Sequence, residues 1–153
     1  MNWNARKSAT LSLVVTWVGL IMALVVVVGL IPALKSTRIP GTVLDDDFVI
    51  RALGPLYACL VFGIIAMIVL LRLLGDIRRN EVFTTANVTR LRLISYCGFA
   101  ITIACVVGAV ITPIPEAFVL VALIAAFLGL LMRVIKNVIE AARLLKEDAD
   151  YTI

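Results

Sequence analysis

The stretch from Leu11 to Leu34 reads LSLVVTWVGLIMALVVVVGLIPAL and contains no charged residue. A helix rises about 1.5 Å per residue, so about 20 apolar residues cross the roughly 30 Å hydrocarbon core of a bilayer. The stretch is also longer than the apolar core of a cleaved signal peptide, which has about 7–15 residues. We therefore interpret it as a retained transmembrane helix, and we expect Pro32 to end that helix.

Three further apolar stretches follow at residues 52–71, 93–111 and 117–132, and none contains Asp, Glu, Lys, Arg or His. The whole chain is 63% hydrophobic and 16% charged. Soluble domains are about half apolar and a quarter charged, so this composition is typical of a membrane protein. The sequence predicts an all-α fold: one domain over residues 1–153, a polytopic membrane protein with four transmembrane helices.

The basic residues predict the orientation of these helices. Of the 14 Lys and Arg residues, 11 lie in segments 1–10, 72–92 and 133–153, and 3 lie in segment 35–51. Loops rich in Lys and Arg stay in the cytoplasm, so both termini and the loop at residues 72–92 are predicted to be cytoplasmic. This argues for a multi-pass membrane protein whose basic segments face the cytoplasm. The lysines and arginines follow membrane topology and form no single stripe, which argues against direct nucleic-acid binding.

The connections predict how the helices pair. Residues 112–116 form a link so short, and so stiffened by two prolines, that the last two helices must form an antiparallel hairpin. The first two helices then form a second antiparallel hairpin. Gly75 is expected to interrupt the polar loop, and Pro55 is expected in the first turn of the second helix. The acidic run Asp45-Asp46-Asp47 is interpreted as a solvated loop, because it lacks the ligand spacing of a calcium site.

The polar segments carry helical patterns of their own. Thr84 can accept hydrogen bonds from the first turn of the third helix, and Phe83 can pack against Val88 as a hydrophobic staple. Past Arg133, apolar residues recur on one helical face and charged residues on the other. The tail, residues 133–153, is therefore predicted to continue as an amphipathic helix beyond the bilayer. It could dock a partner, lie on the membrane surface, or pack onto the protein's own loop.

The remaining polar and small residues have structural explanations. The cysteines Cys59, Cys97 and Cys105 lie in apolar stretches without a Cys-x-x-Cys pair, so we interpret them as packing residues. Ser95, Tyr96, Thr16 and Thr102 could line a solute path, but hydrogen bonding between helices is their commoner role. Arginines 78, 79, 90 and 92 could contact anionic lipid headgroups, although topology alone accounts for them. No nucleophile–base pair or metal-ligand cluster is visible, so we predict no catalytic, cofactor or metal residues and no enzyme.

Two short motifs carry a resemblance to a known family. They are Phe83-Thr84-x-x-Asn87-x-x-x-Leu91 and Leu145-Lys146-Glu147-Asp148-x-Asp150-x-Thr152-Ile153. The chain resembles, over most of its length, a bacterial family of four-helix membrane proteins that carries only a domain-of-unknown-function label. Members are often encoded beside a small Cro/repressor-type helix-turn-helix regulator. The resemblance thus implies a multi-pass protein of a bacterial cytoplasmic (inner) membrane that holds or modulates such a regulator.

These observations lead to two functional hypotheses from different classes. The first is a non-enzymatic anchor or sensor that binds a small cytoplasmic transcriptional regulator. The second is a small-solute transporter or channel subunit that acts as an oligomer. The expected partners are the lipid bilayer, such a regulator and further copies of the chain. For the first hypothesis we predict these partner-binding residues: Arg78, Arg79, Phe83, Asn87, Arg143, Glu147, Asp148, Asp150, Thr152 and Ile153.

Overall fold

The computed structural model describes residues 3–36, 46–79 and 84–151. It contains four helices, α1 (Trp3–Ser36), α2 (Asp46–Arg78), α3 (Thr85–Ile111) and α4 (Pro115–Tyr151). Each helix includes a stretch long and apolar enough to cross a membrane. Outward-facing aliphatic side chains such as Val28 and Val110 are about four-fifths exposed, as expected of side chains in lipid. The predicted all-α membrane fold with four spanning helices is confirmed.

Pro32 and Gly75 lie inside helices, although breaks were expected there. Pro55 lies further inside its helix than the first turn in which it was expected. α1 continues through Pro32 to Ser36, so the expectation that Pro32 ends the helix was wrong. Near the end of a helix a proline removes one backbone hydrogen bond while few residues follow it, and the last turn can still form. α2 likewise contains Pro55 well inside its length, and it passes through Gly75 before ending at Arg78. At Pro55, in the apolar stretch, backbone groups need partners in the helix itself, which favours continuation over a break. Gly75 lies at the polar end, where the cost of a glycine inside a helix, about 1 kcal/mol, is too small to end it.

The acidic run begins a helix. Asp46 is the first residue of α2 and Asp47 is the second. The exposed carboxylate of Asp47 lies in the first turn, where a negative charge stabilises the unpaired N–H groups of a helix start. Asp47 also forms an exposed ion pair with Arg51 at 3.3 Å. The interpretation of these aspartates as part of a solvated loop was therefore wrong for the two that the structure describes.

Each helix packs against its neighbours in the chain. α1 contacts α2, α2 contacts α3 and α3 contacts α4, and no other pair of described helices comes equally close. One contact from each interface shows the antiparallel order: Tyr57 Oη to the Val27 carbonyl at 3.2 Å, Cys59 Sγ to Cys105 Sγ at 3.4 Å, and Ser95 Oγ to the Gly129 carbonyl at 2.8 Å. The two predicted hairpins are thus joined side by side through α2 and α3.

The α3–α4 interface is held by small residues and hydroxyl groups. A Cβ atom added to Gly98 would lie 3.0 Å from the Cα of Gly129, so the two backbones approach as only glycine permits. Ser95 donates a hydrogen bond across this interface, and the Thr102 hydroxyl lies 3.5 Å from the Ala122 carbonyl. Helix-to-helix hydrogen bonding, the commoner role expected for these hydroxyls, is therefore confirmed for Ser95. Thr102 donates mainly to the Gly98 carbonyl of its own helix, at 2.9 Å, and Thr16 donates to the Ser12 carbonyl of its own helix, at 2.8 Å.

Candidate functional site

The polar end of the bundle is formed by residues 72–79, 84–92 and 133–151, which the antiparallel helices bring together. α3 begins there with Thr84 as its N-cap, whose Oγ1 accepts from the Asn87 backbone N–H at 3.3 Å. The predicted cap at Thr84 is confirmed. Phe83 lies outside the described residues, so its packing against Val88 stays a prediction.

A first polar cluster ties the end of α2 to the start of α3. Arg90 of α3 forms an ion pair with Asp76 of α2, and it also donates to the Asn87 side-chain oxygen at 2.8 Å. Asn87 is 1% exposed, and the paired side chains are 28% (Arg90) and 23% (Asp76) exposed. Partly buried charged groups interact more strongly than exposed ones, so this cluster fixes the relative position of the two helices.

A second cluster ties the start of α3 to α4. We call residues 133–151 of α4 the α4 tail. Arg143 of this tail donates to Thr85 Oγ1 at 2.9 Å and lies 3.6 Å from the Glu147 carboxylate. The Nε atom of Arg143 is buried and has no hydrogen-bond partner among the described residues. One side of the α4 tail thus packs onto the protein's own third helix, one of the three placements that the sequence left open.

The opposite side of the α4 tail has no such cover in the described part of the chain. Val134, Val138 and Leu145 are 60%, 62% and 70% exposed. Their spacing places them on one helical face, in line with Phe127 of the apolar stretch. The stripe that faces lipid in the membrane therefore continues as an exposed apolar face, which we call the tail face (Val134, Val138, Leu145).

A cleft opens between α3 and α4 where their apolar stretches meet the polar end. It has a volume of about 280 Å³. It is lined by Arg92, Ser95, Tyr96, Arg133, Lys136 and Asn137. Lys136 forms an ion pair with Glu140, whereas Arg92 and Arg133 form no hydrogen bond or ion pair with any described residue. The Glu140 carboxylate also interacts electrostatically with Arg92, so the cleft carries three basic side chains against one carboxylate.

The structure describes seven of the ten predicted partner-binding residues, and it places them at the end of α2, at the start of α3 and along the α4 tail. Arg78 and Arg79 are exposed at the end of α2, whereas Asn87 is buried and orients Arg90. Arg143 and Glu147 pair with each other along α4. Asp148 is exposed on the same helix, and Asp150 is helical there. Three residues lie outside the described part of the chain: Phe83, Thr152 and Ile153.

The sequence interpretation missed Asp76 and the cleft. One signal for the cleft was available: Arg92 directly precedes one apolar stretch and Arg133 directly follows the next. An antiparallel hairpin brings two such boundary residues to the same depth. The partner of Asp76 had no comparable signal, because Arg90 and Arg92 look equivalent in the sequence.

No group of three or more His, Cys, Asp or Glu side chains that could hold a metal ion occurs within residues 3–36, 46–79 and 84–151. Among the described residues of the polar end, ion pairs join Arg90 to Asp76, Lys136 to Glu140 and Arg143 to Glu147, whereas Arg78, Arg79 and Lys146 are exposed. Such an arrangement can recognise charged or apolar surfaces.

Comparison with known proteins defines the family. No curated protein and no solved structure matches the chain. A match is found to the family described as "Protein of unknown function (DUF2975)", and it spans residues 2–153. Because this match covers nearly the whole sequence, the chain belongs to the DUF2975 family.

Proposed function

We propose that this protein is a non-enzymatic membrane anchor whose α4 tail binds a small soluble transcriptional regulator. The observation that carries the proposal is the tail face, an exposed apolar stripe on a helix that leaves the membrane. In this proposal the polar end faces the cytoplasm, as the excess of Lys and Arg indicates.

The length of α4 supports a surface that stands clear of the bilayer. With 37 residues, α4 is the longest of the four described helices. At about 1.5 Å per residue it is roughly 55 Å long, against roughly 30 Å of hydrocarbon core. The excess corresponds to the charged part past Arg133. The contact of Arg143 with Thr85 holds this part against α3, so that the tail face is presented in a defined direction.

The charges of the α4 tail support a basic partner. Its last described turns carry Glu147, Asp148 and Asp150 against the single base Lys146. A DNA-binding protein carries a basic surface for phosphate contacts, to which an acidic helix end is complementary. An amphipathic helix binds such a partner by its apolar face, with the charged residues setting orientation. Occupation of that basic surface would keep the regulator at the membrane and away from DNA.

Photo-crosslinking in the native membrane tests this proposal. A photoreactive amino acid at Val138 or at Leu145 should capture a soluble protein whose identity, from mass spectrometry, is a small DNA-binding regulator. The matched control is the same group at Phe127, which is 66% exposed on the same face but within the apolar stretch, and it should capture lipid. The double variant V138N/L145N should lower co-purification of the captured protein at least tenfold, as loss of central apolar contacts does at interfaces.

Capture of lipid alone would contradict the proposal. If Val138 and Leu145 capture only lipid, as Phe127 does, the tail face lies in the membrane and the anchor proposal is wrong. A chain that ends before Leu144 provides a second check, because it should lose the partner while it keeps all four apolar stretches. Flux of small solutes into liposomes would then test the transporter hypothesis.

A further inference from the structure

We propose that the cleft between α3 and α4 binds a phosphate group, carried by an anionic phospholipid or by a soluble phosphate. The juxtaposition that supports this is the meeting of Arg92, Arg133 and Lys136 around one cavity at the edge of the apolar stretches. This inference does not depend on the proposed regulator, because the cleft and the tail face are different surfaces of α4.

The depth of the cleft matches that of lipid phosphates. Arg92 is the last charged residue before the apolar part of α3, and Arg133 is the first after the apolar part of α4. The antiparallel pairing of the helices sets both guanidinium groups at the level where the hydrocarbon ends. Tyr96, 61% exposed, lines the same cleft, and tyrosine rings favour this interfacial level. Phosphates of the adjoining leaflet therefore lie within reach of these side chains.

The charge of the cleft favours an anion. Lys136 is partly neutralised by Glu140, and its side chain is only 14% exposed, so it is held in place within the cleft. Arg92 and Arg133 form no direct ion pair within the described ranges, although the Glu140 carboxylate also interacts electrostatically with Arg92. Two guanidinium groups and a fixed ammonium group against one carboxylate leave a net positive charge, and they form a good receptor for phosphate, which accepts charge-assisted hydrogen bonds from several donors.

The neighbouring arginine, Arg90, has other partners and lies outside the cleft. Arg90 is two residues from Arg92 in sequence, yet it is paired with Asp76 and Asn87 and does not line the cleft. Arg92 instead lines the cleft between α3 and α4. Asn137 adds a side-chain amide that can donate to a phosphate oxygen.

The volume of the cleft fits a headgroup fragment. At about 280 Å³ it equals the liquid volume of roughly nine waters, which is enough for a phosphate and the polar atoms next to it. An esterified phosphate and a free phosphate present the same oxygens to the arginines. The two sources differ in whether acyl chains contribute to binding, and this difference can be measured.

The test compares two lipids that differ only in the phosphate, dioleoyl phosphatidic acid and dioleoylglycerol. The purified full-length chain is titrated with each in neutral detergent, and bound lipid is counted by native mass spectrometry. Phosphatidic acid should bind and dioleoylglycerol should not. Each basic residue near an anionic surface contributes roughly fivefold in affinity, so R92Q/R133Q should bind phosphatidic acid about 25-fold more weakly.

The matched control is R72Q/K146Q, which removes the same charge from exposed residues outside the cleft and should bind within about twofold of the natural chain. Should R92Q/R133Q fail to fold, Asn137→Asp places a negative charge in the cleft without removing an arginine, and it should also weaken binding.

Competition by inorganic phosphate distinguishes a lipid phosphate from a soluble phosphate as the natural ligand. Displacement of the lipid only at very high phosphate identifies a lipid site, and displacement at millimolar phosphate or below identifies a site for soluble phosphate. Equal binding of the two lipids, or unchanged binding by both cleft variants, would overturn the proposal.

Discussion

Replacing Gly98 with alanine is expected to destabilise the protein by about 1–3 kcal/mol, the usual cost of overpacking a tight interface. The added Cβ would lie 3.0 Å from the Gly129 Cα and 3.2 Å from the Ala125 carbonyl oxygen. Both atoms belong to the backbone of α4, so they can move only if the two helices separate. Separation would also lengthen the hydrogen bond from Ser95 to Gly129. Valine at position 98 should have a larger effect than alanine.

Other glycines provide matched controls for Gly98. At Gly63 a Cβ meets nothing within 4 Å, so alanine there should be neutral or stabilise its helix by up to about 1 kcal/mol. At Gly19 the Cβ would come within 2.8 Å of the Met67 methyl, which is the end of a flexible side chain and can turn away. We therefore expect Gly19→Ala to cost much less than Gly98→Ala.

The measurement is unfolding of each variant by SDS in mixed micelles, followed by circular dichroism and by labelling of the cysteines. Cys97 and Cys105 are 4% and 1% exposed, so labelling reports separation of the helices. If Gly98→Ala unfolds at the same SDS fraction as Gly63→Ala, the close approach of α3 and α4 is not what stabilises this interface.

Replacing Arg90 with methionine is expected to destabilise the fold by about 2 kcal/mol, the second largest effect. The substitution removes the partner of Asp76 and leaves the buried Asn87 side chain without the hydrogen bond from Arg90. A partly buried polar group that loses its partner costs about 1–3 kcal/mol. D76N should cost less, because an asparagine oxygen can still accept from Arg90.

A double-mutant cycle isolates the Asp76–Arg90 interaction. D76N/R90M should cost less than the sum of the single variants, by about 1 kcal/mol. The control is the exposed pair of Asp47 and Arg51, whose side chains are 81% and 59% exposed. The coupling free energy from the same cycle of substitutions at this pair should remain within about 0.5 kcal/mol. Equal coupling free energies for the two pairs would show that the Asp76–Arg90 pair is no stronger than a surface ion pair.

Much of the fold was predictable because its causes are local or follow from the bilayer. Four uncharged stretches of sufficient length predict four helices, since a spanning segment must satisfy its backbone hydrogen bonds internally. The cap at Thr84 was predictable from residue type and position alone. The same reasoning placed breaks at Pro32 and Gly75, and it failed there because a local preference against helix is weaker than the need to pair backbone groups.

The candidate sites were less predictable because they depend on which face of each helix is covered. The apolar residues of the α4 tail predict an amphipathic helix, but only packing against α3 shows that the tail face stays exposed and that Arg143 does not. The family resemblance suggested a small helix-turn-helix regulator as a partner, but it did not indicate which surface of this protein would bind it.

The sequence by itself determined the class of this protein, the number of its helices and the start of α3, because hydrophobic length and capping are properties of contiguous residues. Only the tertiary structure decided which charges are paired. Arg90 and Arg92 are alike in type and nearly adjacent in sequence, yet one pairs with Asp76 and the other lines the cleft. Two residues apart on a helix means about 200° around its axis, so the two side chains meet different neighbours.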